Sequence, residues 1–141
     1  MSNNSFVTKL NLIEGYKFNV QTDVDYIPDF VVDETKPTGE GLGPNPPRLL
    51  AVAVGHCLSS SLIFCLKKAR VPIKKLETTV KTNLFRNQKG FLRIKNIDIE
   101  MTLKVDEEYT ARVPRCLTLF EDYCTVTQSI RKGIEVNINI K

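Results

Sequence analysis

Alternating apolar and polar positions predict strands along most of the chain. A pair near the N-terminus meets at Glu14-Gly15, which predicts a hairpin, and a second pair meets at a turn over 87–90. In the last strand of the second pair the apolar phase changes near Lys95-Asn96, which predicts a β-bulge. The predicted strands are 6–13, 16–20, 30–32, 76–85, 91–105 and 134–140.

A continuous apolar run over 49–66 interrupts this alternation and predicts a helix from Pro46 to Ala69. The Gly- and Pro-rich stretch 35–47 must be a loop, with Asn45 as the helix N-cap. The run is long enough to cross a membrane, but its glycine, histidine and serines and the flanking strands favour a buried core helix. Because this helix is apolar on nearly every face, we expect a sheet to cover one side and a second subunit to cover the rest.

A second helical segment is predicted over 109–130, with a break near Cys124-Thr125 where β-branched residues follow. Gly133 is expected to end it. The element order is therefore ββ(β)-α-ββ-α-β. This order predicts the α+β class, with antiparallel sheets packed on a long buried central helix in a single domain over 1–141.

Composition argues against several functional classes. The 141 residues carry a net charge of +4 without a basic block interleaved with aromatics, so neither a nucleic-acid nor a membrane partner is expected. Loop 35–47 lacks the Lys-Ser/Thr of a phosphate loop, and His56 is the one histidine, with no CxxC beside it. We therefore expect no cofactor and no metal. The polar N-terminus predicts no secretory signal and a cytoplasmic location.

Four cysteines carry the candidate chemistry. Cys57 and Cys65 are eight residues apart, and so are Cys116 and Cys124. Eight residues of helix rise about 12 Å, whereas a disulfide needs Cα atoms about 4.4–6.8 Å apart. Any bridge must therefore join different segments. A buried helical thiol is ordinarily a packing residue, but two thiols brought together can convert a sulfenic acid into a disulfide, and the residues alone leave both readings open.

Two motifs resemble the OsmC/Ohr family, the osmotically inducible protein C and organic hydroperoxide resistance proteins. Residues 45–57, NPPRLLAVAVGHC, are similar to the NPxxLLxAAxxxC helix of that family. Residues 123–126, YCTV, followed by IEVNI at 134–138, are similar to its C-terminal CPxS and I-x-V-x-L segment. The order of elements also matches, so the resemblance covers essentially the whole chain.

The resemblance implies an intertwined homodimer that reduces organic hydroperoxides at two sites on the subunit interface. It implies that Cys57 attacks the peroxide and becomes a sulfenic acid, and that Cys124 resolves this acid as a disulfide. A dithiol reductant would then restore both thiols, without a cofactor. Cys65 is interpreted as structural, and so is Cys116, with resolution as the alternative role of Cys116.

The group that would activate Cys57 departs from the family pattern. The family has a Glu ten residues before the first cysteine, and this position is Pro47 here. The family also draws an Arg from its N-terminal strands, whereas the first arginine of this chain is Arg48, at the start of the predicted helix. A reactive thiol needs a nearby cation or a helix N-terminus, which makes Arg48 the candidate activating cation. It lies on the opposite side of a straight helix, so it would act from the partner subunit or through an irregular helix start. Lys9 and Lys17 are the alternatives.

Two other functions fit the same residues. The first is a binding protein that uses the pocket expected at the subunit interface to hold a small apolar or thiol-bearing ligand. The second is a redox-sensing dimer in which Cys57 and Cys124 form a regulatory disulfide. Peroxide consumption, thermal stabilisation by a ligand and bridging by diamide distinguish the three functions.

Overall fold

A computed structural model describes residues 4–141 and confirms the α+β class, with two antiparallel sheets. The described chain divides after Leu49 into two compact units. The strands are β1 (Thr8–Glu14), β2 (Lys17–Thr22), β3 (Phe30–Val32), β4 (Lys75–Arg86) and β5 (Leu92–Lys104). The α-helices are α1 (Pro46–Lys68), α2 (Val113–Leu119) and α3 (Thr125–Lys132), and 3-10 helices cover Glu107–Arg112 and Phe120–Tyr123.

The first unit is built on a three-stranded sheet in the order β1-β2-β3. Gly15 has a φ of +55° in the predicted hairpin turn, a conformation that favours glycine. Val20 and Val32 are buried, whereas every residue of β1 is exposed. The first strand therefore leaves its apolar side chains uncovered.

Asp33 organises the Gly- and Pro-rich loop that follows β3. Its buried carboxylate accepts hydrogen bonds from the backbone N–H groups of Glu34, Glu40 and Leu42 at 2.8, 3.2 and 3.2 Å. A buried carboxylate with several N–H donors is well satisfied, so this side chain fixes the loop rather than forming an open site.

The α1 helix has the N-cap that the sequence predicts and a well-defined end. The Asn45 side-chain oxygen accepts a hydrogen bond from the N–H of Arg48 at 3.2 Å. At the other end Arg70 has a φ of +56°, and the N–H of Val71 donates to the carbonyl of Leu66 at 2.9 Å. This Schellman arrangement ends α1, and the second sheet begins with β4 at Lys75.

In the second unit, β4 and β5 form a long antiparallel hairpin with the predicted bulge. Asn83 pairs with Asn96 and Leu84 pairs with Ile94, so Lys95 is the extra residue. A bulge bends and twists a long strand, which lets β5 curve along the helices packed on it.

One side of α1 lies in the core of the second unit, as expected for a core helix. Its buried residues include Val54, Leu58, Leu62 and Leu66. By length and composition alone α1 could cross a membrane, but these contacts assign it to the protein core. Gly55 allows the closest approach to the sheet, because a Cβ there would lie 2.7 Å from a methyl group of β4.

The other side of α1 is open, and we call it the open face, defined by Val52, His56 and Phe64. The Val52 side chain is 65% exposed and Phe64 is 49% exposed. The helix is therefore covered on one side by its own chain, in agreement with the expected sheet. The expected cover by a second subunit stays a prediction.

The final strand predicted at 134–140 does not form within residues 4–141. The segment has no strand hydrogen bonding, and Ile134 and Ile140 are 62% and 89% exposed. Alternation shows that a segment can join a sheet but not which strand it joins, and a strand exists only when an edge pairs with it. No edge of the described chain does so here.

The helical segment predicted over 109–130 is also more broken than expected. The break before Thr125 is confirmed, but the part before it consists of a 3-10 helix, the short α2 and a second 3-10 helix. Pro114 lies in the first turn of α2, the one place where a helix tolerates its missing N–H. Gly133, with a φ of +79°, ends α3 as predicted.

Candidate functional site

Cys57 and Cys124 lie side by side in the second unit. Cys57 comes from the middle of α1, and Cys124 comes from the residue before α3. The Cys124 thiol is near enough to Cys57 to raise the pKa of Cys57. Cys124 is fully buried and Cys57 partly buried, and both pack in the apolar cluster formed by Val54, Leu58, Leu50, Ile97, Ile99, Phe120, Val126 and Ile130. These two predicted site residues are thus brought together by the fold.

Cys124 is the N-cap of α3. Its φ and ψ of −81° and 98° are extended, and its sulfur accepts a hydrogen bond from the N–H of Thr127 at 3.4 Å. Its S–H donates in return to the Thr127 hydroxyl at 3.0 Å. The Cys-x-x-Thr spacing resembles a capping box, in which the third residue after the N-cap bonds the N-cap backbone, but here Thr127 bonds the Cys124 thiol while the N–H of Cys124 donates to Glu121. Sequence analysis did not identify Thr127, although this spacing is visible in the sequence.

The sulfur of Cys57 lies near the start of α3. Burial raises the pKa of Cys57, the backbone N–H groups of Val126 and Thr125 lower it, and the neighbouring Cys124 raises it, with burial the largest effect and a net increase. The first N–H groups of a helix have no partner within the helix and carry its positive dipole end. The two N–H groups favour the thiolate of Cys57, but burial and the neighbouring Cys124 have the larger effect, so the thiol form is favoured.

Thr125 is the residue that makes two such donors available. In the OsmC/Ohr pattern a proline follows the second cysteine, and proline has no N–H. Thr125 restores that donor at the first residue of α3, and Val126 supplies the next one. A comparison of motifs shows that the proline is absent at position 125, but it does not show that Thr125 has a backbone N–H that proline lacks.

The candidate cations lie in the first unit. Arg48 is in the first turn of α1, with an exposed side chain, and α1 starts regularly. Lys17 on β2 forms ion pairs with Glu14 at 3.0 Å and Glu40 at 3.1 Å. Arg48 as the activating cation stays a prediction. Because the helix start is regular, a role for Arg48 would need the partner subunit.

The other two cysteines form a disulfide. Cys65 of α1 and Cys116 of α2 are 51 residues apart in sequence, with Cα atoms 5.6 Å apart. Both lie in a second apolar cluster with Leu62, Leu66 and Val71. The bridge joins different segments, as the spacing required, and excludes Cys116 as a free resolving thiol in this state of the chain. Which cysteines pair depends on tertiary packing, so the spacing alone could not identify this bridge.

An apolar cavity of about 800 Å³ lies beside the thiol pair. Neither cysteine is among its lining residues, but Val54, Leu58 and Phe120 line it and also pack in the Cys124 cluster. Glu121 and Arg131, an ion pair at 2.8 Å, are its charged lining residues together with Lys95. Such a cavity suits an apolar molecule with a polar end.

Within residues 4–141, no group of three or more His, Cys, Asp or Glu side chains is placed to hold a metal ion.

Comparison with known proteins gives one family. A family model described as OsmC-like protein matches residues 39–139. No curated protein sequence matches the chain.

Solved structures share the fold over nearly the whole chain. An OsmC-like protein from Mycoplasma pneumoniae has a TM-score of 0.74 at 14% identity, covering 99% of this chain and 98% of that one. The organic hydroperoxide resistance protein OhrB of Bacillus subtilis has a TM-score of 0.63 at 20% identity, with 96% and 98% covered. An organic hydroperoxide resistance protein from Elizabethkingia anophelis has a TM-score of 0.67 at 18% identity, with 95% and 93% covered. At these identities the likeness shows the fold.

Proposed function

Because the chain belongs to the OsmC-like family, whose model matches residues 39–139, we propose that it is a thiol-dependent peroxidase that reduces organic hydroperoxides. The observation that carries this proposal is that Cys57 and Cys124 lie side by side in one apolar cluster. Two of its structural neighbours are named organic hydroperoxide resistance proteins. A free, partly exposed thiol beside a second free thiol is the arrangement that two-step peroxide reduction needs.

In the first step the Cys57 thiolate attacks the terminal oxygen of the hydroperoxide. An S–O bond forms, the O–O bond breaks, and the alkoxide takes a proton and leaves as the alcohol. Cys57 is thereby oxidised to a sulfenic acid. The Val126 and Thr125 N–H groups stabilise the attacking anion, and so contribute the function that the family pattern assigns to a cation.

In the second step the Cys124 sulfur attacks the sulfur of the Cys57 sulfenic acid. The S–S bond forms, the S–O bond breaks, and water leaves with the thiol proton. Thr127 touches Cys124 directly and aligns its S–H. A dithiol reductant then transfers two electrons and two protons to the disulfide and is itself oxidised. We propose a cytoplasmic location, where such dithiols are kept reduced.

The substrate class follows from the cavity. Its walls are mostly apolar, which favours a hydroperoxide with a hydrocarbon body over hydrogen peroxide. The experiment that tests the proposal measures consumption of cumene hydroperoxide by the purified protein with dihydrolipoamide or dithiothreitol. We expect turnover, and faster turnover than with hydrogen peroxide. Absence of consumption with every dithiol would refute the peroxidase.

The cavity and the raised pKa of Cys57 also favour one alternative, a binding protein for an apolar or thiol-bearing ligand. It would be preferred if peroxide is not consumed and an apolar ligand raises the melting temperature.

We also propose that the working protein is a homodimer. Apolar residues lie uncovered on β1, on the open face of α1 and over 134–140. Isolated exposed apolar residues are ordinary, but contiguous ones mark interaction surfaces. A second copy is the partner that the family resemblance implies, and it is also the route by which Arg48 would approach a Cys57 thiol.

Dimerisation should depend on one side of the C-terminal segment. Replacing Val136 and Ile138 with Asn should shift the protein toward a monomer in multi-angle light scattering, because it removes the apolar side chains available for a strand interface. Replacing Asn137 and Asn139 with Ser is the matched control and should leave the dimer intact. Equal masses for both variants would argue against this segment as part of the interface.

A further inference from the structure

The two cysteine pairs are arranged in register. On α1, Cys57 and Cys65 are eight residues apart, and on the segment that packs against it, Cys116 and Cys124 are also eight residues apart. Cys65 is bonded to Cys116, and Cys57 contacts Cys124. The two segments therefore run in opposite directions, with Cys57 beside Cys124 and Cys65 beside Cys116. The disulfide and the thiol pair are two cross-connections between the same antiparallel segments.

The segment over 106–123 is held to the core at few points. Tyr109, Val113 and Phe120 pack partly buried against the disulfide cluster, and Tyr123 contacts Phe64. Between Asp106 and Tyr123, all described by the structure, Cys116 is the one fully buried residue. Neither 3-10 helix buries any residue, and in this described stretch no N-cap side chain hydrogen-bonds to either of them or to α2. Helices this short are not stable by themselves and depend on tertiary contacts.

A continuous path links the disulfide to the resolving thiol. The carbonyl of Cys116 accepts the N–H of Phe120, which ends α2. The N–H of Cys124 donates to the carbonyl of Glu121 at 3.1 Å, which ends the following 3-10 helix. Phe120 packs against both apolar clusters, the one around the disulfide and the one around Cys124. A displacement of Cys116 would therefore be transmitted to Cys124 through two tight turns.

We propose that the Cys65–Cys116 disulfide is a positioning cross-link that holds Cys124 against Cys57. This role rests on the proposed function, because it concerns the second step of peroxide reduction. With the cross-link closed, Cys124 meets the Cys57 sulfenic acid as soon as it forms. With the cross-link open, the segment over 106–123 moves away more often, and Cys57 is exposed to a second oxidation. Both cross-linked residues are at least nine-tenths buried, which protects the bond from the dithiol that reduces the site pair.

The test compares the wild type with the Cys65→Ala/Cys116→Ala variant. Each protein, with Cys57 and Cys124 reduced, receives one equivalent of cumene hydroperoxide, and the products are trapped with N-ethylmaleimide and measured by mass spectrometry. We expect loss of the Cys57 thiol at the same rate in both proteins. Bridging of Cys57 to Cys124 should be slower in the variant by roughly tenfold or more, because a shift of about 1 Å at reacting atoms can cost about 100-fold. When a second equivalent of peroxide is then added, the fraction of Cys57 sulfinic acid should be higher in the variant, because the sulfenic acid persists long enough to be oxidised again.

A matched control separates positioning from stability. Val71 lies in the same apolar cluster as the disulfide, and Val71→Ala should lower the melting temperature without changing the rate of bridging. Equal bridging rates in the wild type and the double alanine variant would overturn the cross-link's role. So would a non-reducing peptide map of the wild type without a Cys65–Cys116 linkage.

Two further arms keep the outcome decisive. If peroxide oxidises Cys57 in neither protein, the peroxidase fails, and diamide, which takes two electrons and two protons from a thiol pair, measures bridging instead; slower bridging in the variant still supports positioning. If the double alanine variant does not fold, hydrogen exchange is measured in a Cys57→Ser/Cys124→Ser protein before and after reduction. If the disulfide positions Cys124, its reduction should lower the hydrogen-exchange protection of the amides over 107–123. Unchanged protection would refute the proposal.

Discussion

Replacing Cys57 with Ser should abolish hydroperoxide reduction, with a loss of at least about 1,000-fold in the rate. Serine cannot form a thiolate or accept the peroxide oxygen, so no residual two-step route remains. The measurement is consumption of cumene hydroperoxide under a dithiol reductant. Because Cys57 is only partly buried and serine is slightly smaller, the variant should remain folded, which circular dichroism checks.

The matched variant is Cys124→Ser, which removes the resolving thiol and leaves the attacking one. It should still consume about one equivalent of peroxide in a first turnover. It should then stall at the Cys57 sulfenic acid, because no neighbouring thiol condenses with it, and a second equivalent of peroxide should convert this acid to the sulfinic acid. If both variants lost the first turnover equally, Cys124 would have a role in activating Cys57. If neither lost activity, the reaction would not use this pair.

The sequence predicted the elements well where local patterns determine them. Alternation located five strands, and the phase change near Lys95 located the bulge, because the side-chain period of a strand depends on neighbouring residues alone. Asn45 and Pro46 located the start of α1 for the same reason, since a helix cap is a local hydrogen bond.

The sequence predicted less where the outcome depends on distant partners. Residues 134–140 have the pattern of a strand, but no strand of the described chain pairs with them, and pairing is not encoded in the local pattern. Cys65 and Cys116 were interpreted as structural residues without a partner, because pairing among four cysteines is decided by packing. The resemblance pairs Cys57 with Cys124, and the structure places both in one apolar cluster. The donors near Cys57 are backbone groups, which a motif of side chains does not record.

The backbone N–H of Thr125 is one of the donors near Cys57, and proline would remove it. Thr125→Pro should slow the reaction of Cys57 with peroxide while leaving the fold intact. Proline is favoured at the first residue of a helix, where its missing N–H has no intrahelical partner, and Thr125 is that residue of α3. The substitution therefore removes one donor that lowers the pKa of Cys57 and leaves the burial that raises it.

The effect of Thr125→Pro on the rate of Cys57 oxidation should depend on pH. With the donor lost, the pKa of Cys57 rises further above its ordinary value, and the thiolate fraction at any lower pH falls. The rate of sulfenic acid formation at neutral pH should fall by a few-fold at most, since the Thr125 N–H has a smaller effect on the pKa of Cys57 than the Val126 N–H and partial exposure screens it. The rate should recover as the pH is raised, because the thiolate then forms without help.

Thr125→Ala is the control for this experiment, because it removes the side chain and keeps the N–H. Its pH profile for Cys57 oxidation, followed by stopped-flow mixing with cumene hydroperoxide, should superimpose on that of the wild type. A proline variant whose profile also superimposes would show that the start of α3 does not activate Cys57. The activating charge would then have to come from elsewhere, with Arg48 of a second subunit as the remaining candidate and Arg48→Ala as its test.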